Sequence, residues 1–555
     1  MTRGDDPVSR DIFQHQACGI ADEMSVALRR ASFSSIIWDM HDYACGLFTP
    51  DAEMIAQADT IPAQLGVMSI AINRMFEEIP RDEWRPGDII ICNDPYRGCA
   101  HTMDVCLFSP VFHGDVLIAI TSSIAHHADI GGRLPGSTVA DNTEVFAEGI
   151  ILPPLKLFAE GRPDPAIFSI LSSNVRLPDA SKGDLRAQVA ACRIGERRIL
   201  ELAELHGRET FTSLSRACLD YAEAYTRRAI ADTPDGESEA STTIEDDVTS
   251  NAPVSLRVRA TIDGDNLEID LSDSDDQRDF ALNCPWASTV SMACYAAKCL
   301  FSPDIAQNEG CVRPLRVTTR KGSVLDPVHP GAVGSRHHTQ QAVADLVLMA
   351  LTKLAPARSA AGAHVSDPLI TVSGIDDRPQ VRATRDNARY FVLADGLGGG
   401  MGASSEADGL DAVDTHSGNC ALISAEVVET VSPLRVLRTE LVPDSGGPGK
   451  HRGGLGMLRD YQLLAKSAVF TAVTQRGSAM TAPWGYEGGG AGGIAGLVVN
   501  PGHGSERRLP TKVVSHLMRK GEVIRIVGGG GGGWGNAAER DPELVARDRR
   551  QGYVT

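Results

Sequence analysis

Residues 93–137 read NDPYRGCAHTMDVCLFSPVFHGDVLIAITSSIAHHADIGGRLPGS and concentrate metal-capable side chains more densely than any other segment: His101, Asp104, His126, His127 and Asp129. Residues 104–112 form an apolar run opened by Asp104, His113-Gly114 supplies a turn, and residues 116–124 have the composition of a returning strand, so the stretch predicts a β-hairpin. With His113-Gly114 as a two-residue loop, His101 falls directly across from His126, where paired Cβ atoms lie about 4.5–5.5 Å apart. Asp104 is three positions from His101, and an uninterrupted strand would turn the two to opposite faces. A bend or bulge after His101 reconciles them, and Gly98 marks irregular backbone nearby. Three imidazole or carboxylate ligands with space for water describe an open metal site, whereas a structural site usually closes with four. Spacing alone leaves a metal site and a hydrogen-bonded polar hairpin equally open.

A chain of 555 residues exceeds one ordinary core, and two to four domains are expected. The net charge of -19 argues against a nucleic-acid partner, because phosphate binding needs a basic surface. The start MTRGDDPVSRDIFQHQ lacks the basic and apolar blocks of a signal peptide, and no apolar run is long enough to span a bilayer, so a soluble cytoplasmic protein with no membrane partner is expected. The 12 cysteines include no CxxC pair, which removes the zinc-ribbon and thioredoxin readings and leaves reduced, buried thiols. Cys92, Cys99 and Cys106 recur every seven residues in a segment of loop and strand, a spacing read as coincidental.

Upstream of the hairpin, helical spacing of Ile12, Ala17, Ile20, Met24, Leu28 and Ala31 predicts an amphipathic helix over residues 11–33. SSIIWDMHDYACGLF then mixes apolar and polar residues as a partly buried strand carrying His41 and Asp42. Residues 61–76 read as helix and 89–92 as a buried strand. Downstream, Glu144 and Glu148 lie close to the site in sequence and, with Asp129, are candidate general bases. Two helices follow within residues 184–231, and the acidic, Ser/Thr-rich residues 232–250 read as a linker or loop. VSLRVRATIDGDNLEIDLS predicts a hairpin about Asp263-Gly264-Asp265, residues 288–300 a buried helix, and Arg336, His337 and His338 stand near the start of a further helix, where a second polar site could form.

The final third is laden with glycine: GLGGGMGASSEADG, DSGGPGKHRGGLG, WGYEGGGAGG and the run over residues 528–533. PDSGGPGKHRG has a Gly-Lys pair but places Asp444 where a phosphate loop needs glycine and His451 where it needs Ser or Thr. GLGGGMGA fits GxGxxA but is followed by SSEADG and not by an apolar helix. Neither reads as a nucleotide site, and tight turns with close backbone packing account for the glycines. The fold class expected is α+β and multi-domain, with mixed sheets, β-hairpins, long helices and a glycine-rich β C-terminal part. The division expected is 1–231 for the metal-site domain, 232–250 for the linker, 251–440 for a central α/β domain and 441–555 for the glycine-rich β region.

Several segments, in order and across nearly the whole chain, resemble the hydantoinase B/oxoprolinase family: GDIIICNDPYRGCAHTMDVCLFSPVF, HHADIGGRLPGS, GDLRAQVAA, NCPW, NEGCVRPLRV, DSGGPGKHRGGLG and GGGGGGWGNAAERDPELVARD. The resemblance implies the B-type component of an ATP-dependent complex. In that arrangement ATP is bound by a separate hydantoinase A-type subunit, which phosphorylates the substrate, and the B-type component acts on the activated substrate at a divalent metal centre of Zn, Mn or Fe. It also implies the ligands, namely His101 and Asp104 of the HxxD element, His126 of the following strand, and Asp42. His127 becomes a neighbour that orients water or substrate. Two departures stand out: Arg97-Gly98-Cys99-Ala100 replaces a Gly-Gly pair, and residues 58–61 lack a histidine.

The activity implied is ring opening of a cyclic amide: a hydantoin, N-methylhydantoin, 5-oxoproline or a lactam. Alternatives are a subunit of an ATP-dependent ketone carboxylase, and a non-catalytic structural subunit that stabilises its ATPase partner in a hetero-oligomer.

Overall fold

The hairpin at residues 104–126 is the spine of a seven-stranded antiparallel sheet in the computed structural model, which describes residues 6–246, 248–250, 252–379 and 389–555, the side chain of Leu65 excepted. Helix α1 (Pro7–Ala31) and the short helix α2 (Ser35–Trp38) lead into strands β1 (Tyr43–Phe48) and β2 (Met54–Gln57). Helix α3 (Pro62–Glu78) is followed by β3 (Ile89–Cys92), β4 (Asp104–His113), β5 (Val116–His126), β6 (Leu155–Ala159) and β7 (Arg162–Pro163), giving the spatial order β2-β1-β5-β4-β3-β6-β7. The stretch expected to be a strand from residue 34 is thus helix first, and the strand begins only after Asp42.

The register differs from the one predicted. The loop is Gly114-Asp115, with Gly114 at φ 63, and the pairing shifts by one residue between Val111 and Phe112. Asp104, not His101, therefore stands opposite His126. His101 precedes the strand in a turn closed by the Asp104 amide donating to the His101 carbonyl (3.0 Å), which is the bend that lets both side chains reach one side.

Side-chain parity then divides the hairpin. Ala44, Phe48, Cys106, Phe108 and Ile124 face α3, packing on Val67, Met68, Ala71 and Met75. The opposite face takes the buried stripe of α1 (Phe13, Ala17, Ile20, Met24, Leu28) beside α5 (Pro178–His206), which follows α4 (Pro165–Asn174). Each large apolar side chain so buried contributes about 1.5–3 kcal/mol. Asp104 and His126 share the parity of Cys106 and Ile124, so they emerge on the α3 side. Cys92 pairs with Cys106 across β3 and β4, and Cys99 joins them, so the seven-residue spacing places three thiols in one apolar core.

A second sheet, ordered β11-β10-β9-β8, follows helix α6 (Arg208–Ala231) and contains β8 (Gly236–Ile244), β9 (Val254–Asp263), β10 (Asn266–Asp270) and β11 (Leu315–Thr318). Most of the expected linker is therefore strand: β8 pairs with β9 from Gly236↔Ile262 to Ile244↔Val254, its polar residues facing outward while Ala240 and Ile244 are buried. Asp247 of that segment lies outside the described residues. Helices α7 (Trp286–Phe301) and α8 (Arg336–Leu354) pack on this sheet, and α8 is buried on nearly every side through its first three turns.

Two further sheets complete the fold. One, ordered β13-β12-β16-β19, joins β12 (Leu369–Ile375) and β13 (Tyr390–Gly396) to strands Ser467–Val473 and Lys512–Arg519. The other, β14-β15-β20-β17-β18, follows helix α9 (Ala425–Val431) and uses β14 (Leu434–Leu441), β15 (Met457–Leu463), β17 (Gly496–Val499), β18 (Arg507–Leu509) and β20 (Val523–Val527); the strands between these are β16 and β19, and helix α10 (Pro542–Gln551) ends the chain. β12 and β16 lie on either side of residue 440 yet share a ladder, and one apolar cluster runs from Phe13 to Ile526, so the expected divisions share a core.

The glycine segments lie side by side rather than forming tight turns. Gly400 donates to Gly529 (2.8 Å), Gly454 to Met401 (2.8 Å), Gly531 to Gly454 (2.9 Å) and Gly533 to Gly490 (2.9 Å), all through backbone groups. A Cβ on Gly454 or Gly531 would overlap the carbonyl oxygen of Leu410 or Met401. Among the described residues no helix is long and apolar enough to cross a membrane.

Candidate metal centre

Four predicted residues converge at the end of the β4–β5 ladder. Asp104 Oδ2 lies 3.2 Å from His101 Nε2, and Asp104 Oδ1 lies 3.5 Å from His126 Nδ1. His126 Nδ1 is also 3.6 Å from Asp42 Oδ2. Asp42 is positioned by the backbone, since the His126 amide donates to its carbonyl (3.1 Å) and His41 before it takes a left-handed φ of 66. One ligand atom from each of His101, Asp104 and His126 lies within 4.8 Å of the others.

The surroundings orient this set. Gly334 O accepts from His101 Nδ1 (3.1 Å), which puts a proton there and leaves Nε2 directed at Asp104, an arrangement typical of imidazole ligands. Gln64 on α3 donates from one amide nitrogen to Asp42 Oδ1 (2.8 Å) and Asp104 Oδ1 (3.3 Å). Arg336, on the first turn of α8, donates to Asp104 Oδ2 (2.8 Å). These side chains line a cavity of about 100 Å³ whose other walls include Met40, Ile61, Leu369 and Leu397.

Burial dominates the electrostatics. It pushes the Asp42 carboxyl up to about 6, with Asp104 adding repulsion and His126 opposing. Burial works in the same direction on Asp104, but the neighbouring His101, His126 and Arg336 together hold it well below the usual carboxylate range. Burial brings His101 down to about 4. His126 moves up, because Asp42 and Asp104 outweigh its own burial. Two carboxylates and two imidazoles around one buried point form a donor set suited to a divalent ion such as Zn²⁺, Mn²⁺ or Fe²⁺, and the raised Asp42 marks a site short of positive charge.

None of the three candidate bases lines the cavity. Asp129 is buried in a clamp, accepting from the Arg176 amide (2.6 Å), Arg176 Nη1 (2.9 Å) and the Gly131 amide (3.3 Å). Glu144 is exposed at a bridge to Gly331. Glu148 is fully buried and accepts from the Val333 (2.9 Å) and Gly334 (2.6 Å) amides, so it positions the carbonyl that holds His101. Burial pushes its carboxyl up to about 8 against those two N–H groups. His127 has the opposite parity to His126 and meets Gln188 Oε1 (3.1 Å) and Ser181 Oγ (3.4 Å) on the α5 side, away from the site.

Residues that the sequence did not single out also reach the cavity: Gln64, Asp367, Asp414 and Cys420. They come from a helix and from loops up to several hundred residues distant, where no periodicity marks a polar residue as inward-facing.

Residues 6–537 match the hydantoinase B/oxoprolinase family profile. The chain belongs to this family. Its relatives include a putative D-/L-hydantoinase B-type subunit of Pseudomonas sp. (strain NS671), 33% identical over 99% of this chain and 93% of the relative. The crystal structure of ATP-dependent caprolactamase from Pseudomonas jessenii superposes with a TM-score of 0.90 at 28% identity, covering 99% of this chain and 94% of that one. A nucleotide-free acetone carboxylase structure shares the fold, with a TM-score of 0.90 at 17% identity over 100% of this chain and 78% of that one. The family thus contains subunits of ATP-dependent cyclic-amide hydrolases, and this chain shares its mixed α/β fold of several sheets with the caprolactamase and acetone carboxylase structures.

Proposed function

We propose that this chain is the metal-dependent B-type component of an ATP-dependent cyclic-amide hydrolase, opening a hydantoin, N-methylhydantoin, 5-oxoproline or lactam ring that a partner A-type subunit has activated by phosphorylation. The observation that carries this reading is the buried group His101, Asp104 and His126, with the half-buried Asp42 beside it, lining a small cavity in a chain whose residues 6–537 match the family. These four residues would hold a divalent cation, which acidifies water and polarises a carbonyl or phosphoryl oxygen.

The chain's own residues supply the rest. Arg336 and Gln64 keep Asp104 ionised and fixed in direction, while Glu148 and Gly334 hold the His101 tautomer. Met40, Ile61, Leu369 and Leu397 form an apolar wall that limits competing water. Asp414 is the carboxyl suited to proton exchange: burial pushes it up to about 6, its Oδ2 accepts from the Cys420 amide (2.9 Å), and it lines the cavity outside the ligand set.

The test is reconstitution with an A-type ATP-binding subunit, assayed for ATP-dependent ring opening of the four substrate types alongside metal quantification. Bound metal and turnover that are both lost in His101→Ala support the reading. A metal-free complex in which His101→Ala turns over normally ends it, and ATP consumption that depends on bicarbonate and a ketone would assign carboxylation instead.

A further inference from the structure

The first turn of α8 holds a second group that the proposed ligand set leaves unused. His337 and His338 are buried, at 8% and 0% exposure, and none of their four ring nitrogens meets a hydrogen-bond partner. The Val473 backbone lies beside His338 but off hydrogen-bonding geometry. A neutral imidazole carries one donor and one acceptor, so two such rings enclosed together leave both kinds of group unsatisfied, which native interiors rarely tolerate without a ligand. Their ring centroids lie 4.0 Å apart, and one nitrogen of each ring lies within 4.8 Å of the other and of a carboxylate oxygen of Asp367.

We propose that His337, His338 and Asp367 form a second divalent-cation site, beside the one assigned to Asp42, His101, Asp104 and His126. His337 and Asp367 line the same cavity as those four residues. Two imidazoles and a carboxylate suit Zn²⁺, Mn²⁺, Fe²⁺ or Co²⁺ and leave coordination positions for water or substrate.

An anion is the natural rival, because the start of a helix carries partial positive charge. The charges around the cavity oppose it. Asp42, Asp104, Asp367 and Asp414 line it, four carboxyls against two cations: Arg336, whose guanidinium is turned to Asp104, and the buried Lys512, which acts on His338 from outside the lining. Asp367 is itself part of the group and would repel a phosphate. Excess carboxylate around orphaned imidazole nitrogens calls for cations.

The second site does not depend on which reaction the protein performs. Its test is the number of ions bound by the full chain with its partner subunit, after chelation and reloading with Zn²⁺ or Mn²⁺, measured by equilibrium dialysis and elemental analysis. Two ions per chain are expected in the wild type and one each in His101→Ala and His338→Ala. Asp367→Asn, which preserves side-chain shape, should weaken one of the two ions by about tenfold or more. Circular dichroism checks folding, and Asp367→Asn decides the matter if His338→Ala does not fold. One ion per chain in the wild type, lost in His101→Ala and kept in Asp367→Asn, overturns the second site and leaves the first. One ion lost in Asp367→Asn and kept in His101→Ala overturns the first and leaves the second. Two ions held unchanged by His338→Ala and Asp367→Asn also overturn the proposal.

Discussion

Arg336 Nη2 and Asp104 Oδ2 lie 2.8 Å apart, both buried, and tie the start of α8 to the end of β4 across 232 positions of sequence. Removing one partner of such a pair leaves an uncompensated buried charge and costs about 3–5 kcal/mol. A cation held by Asp104 would neutralise the stranded carboxylate, so the cost should depend on metal. Arg336→Met is therefore expected to lower the melting temperature of chelated protein more than that of metal-loaded protein. Thermal denaturation in the presence and absence of chelator measures this, and equal losses in both states would remove Asp104 from the ligand set.

Asp129 is a structural carboxylate, despite its place beside two histidines in the sequence. Its side chain is fully buried and bridges the loop at Gly131 to Arg176. Asp129→Asn keeps the shape but weakens three charge-assisted contacts, each worth about 1.5–3 kcal/mol when made to a charged group. The expected outcome is a clear loss in urea midpoint with kcat of the folded enzyme little changed. A loss of kcat at full stability would return Asp129 to the chemistry.

Asp414 should leave a mark on the pH profile. Its folded value, raised to about 6 chiefly by burial, means that the carboxylate fraction grows as pH rises through that region. If the carboxylate takes up the proton, kcat climbs along a limb centred near pH 6 and levels off above it. Asp414→Asn is expected to flatten that limb and lower kcat by roughly 10²–10⁴-fold, the usual worth of a general base. Steady-state kinetics from pH 5 to pH 8 (about the stable range of most proteins) with an unchanged limb in the variant would assign the proton elsewhere.

The hairpin, the long helices and the four ligand candidates were legible in the sequence because period-2 and period-3.6 patterns and a dense HxxD element are local signals. Register was not. The bulge after Val111 and the loop at Gly114-Asp115 shifted the partner of His126 from His101 to Asp104, and neither leaves a compositional trace. The strand Gly236–Ile244 looked like a linker because a strand with one solvent face is mostly polar. Gln64, Asp367 and Asp414 stayed hidden since their roles depend on tertiary placement alone, whereas Arg336 and the two histidines after it were visible only as a cluster without an assigned partner. Cys92, Cys99 and Cys106 show the converse, a real spatial cluster that spacing alone made look accidental.

The glycine segments provide the sharpest stability contrast. A side chain at Gly531 would have to occupy the space of the Met401 carbonyl, and the same backbone is fixed on its other side by the Gly531 amide donating to Gly454 (2.9 Å). Backbone cannot move aside as a flexible side chain can, so the whole stack of segments would have to separate. Gly504 sits in a surface turn with no left-handed φ, and a methyl group added there would meet nothing within 4 Å. Gly531→Ala is expected to cost more than about 4 kcal/mol, the range reserved for overpacking in a core, while Gly504→Ala stays within about 0.5 kcal/mol of wild type. Urea denaturation of the two variants side by side measures the difference. Similar midpoints would mean that the glycine segments separate readily, and that their composition serves something other than close packing.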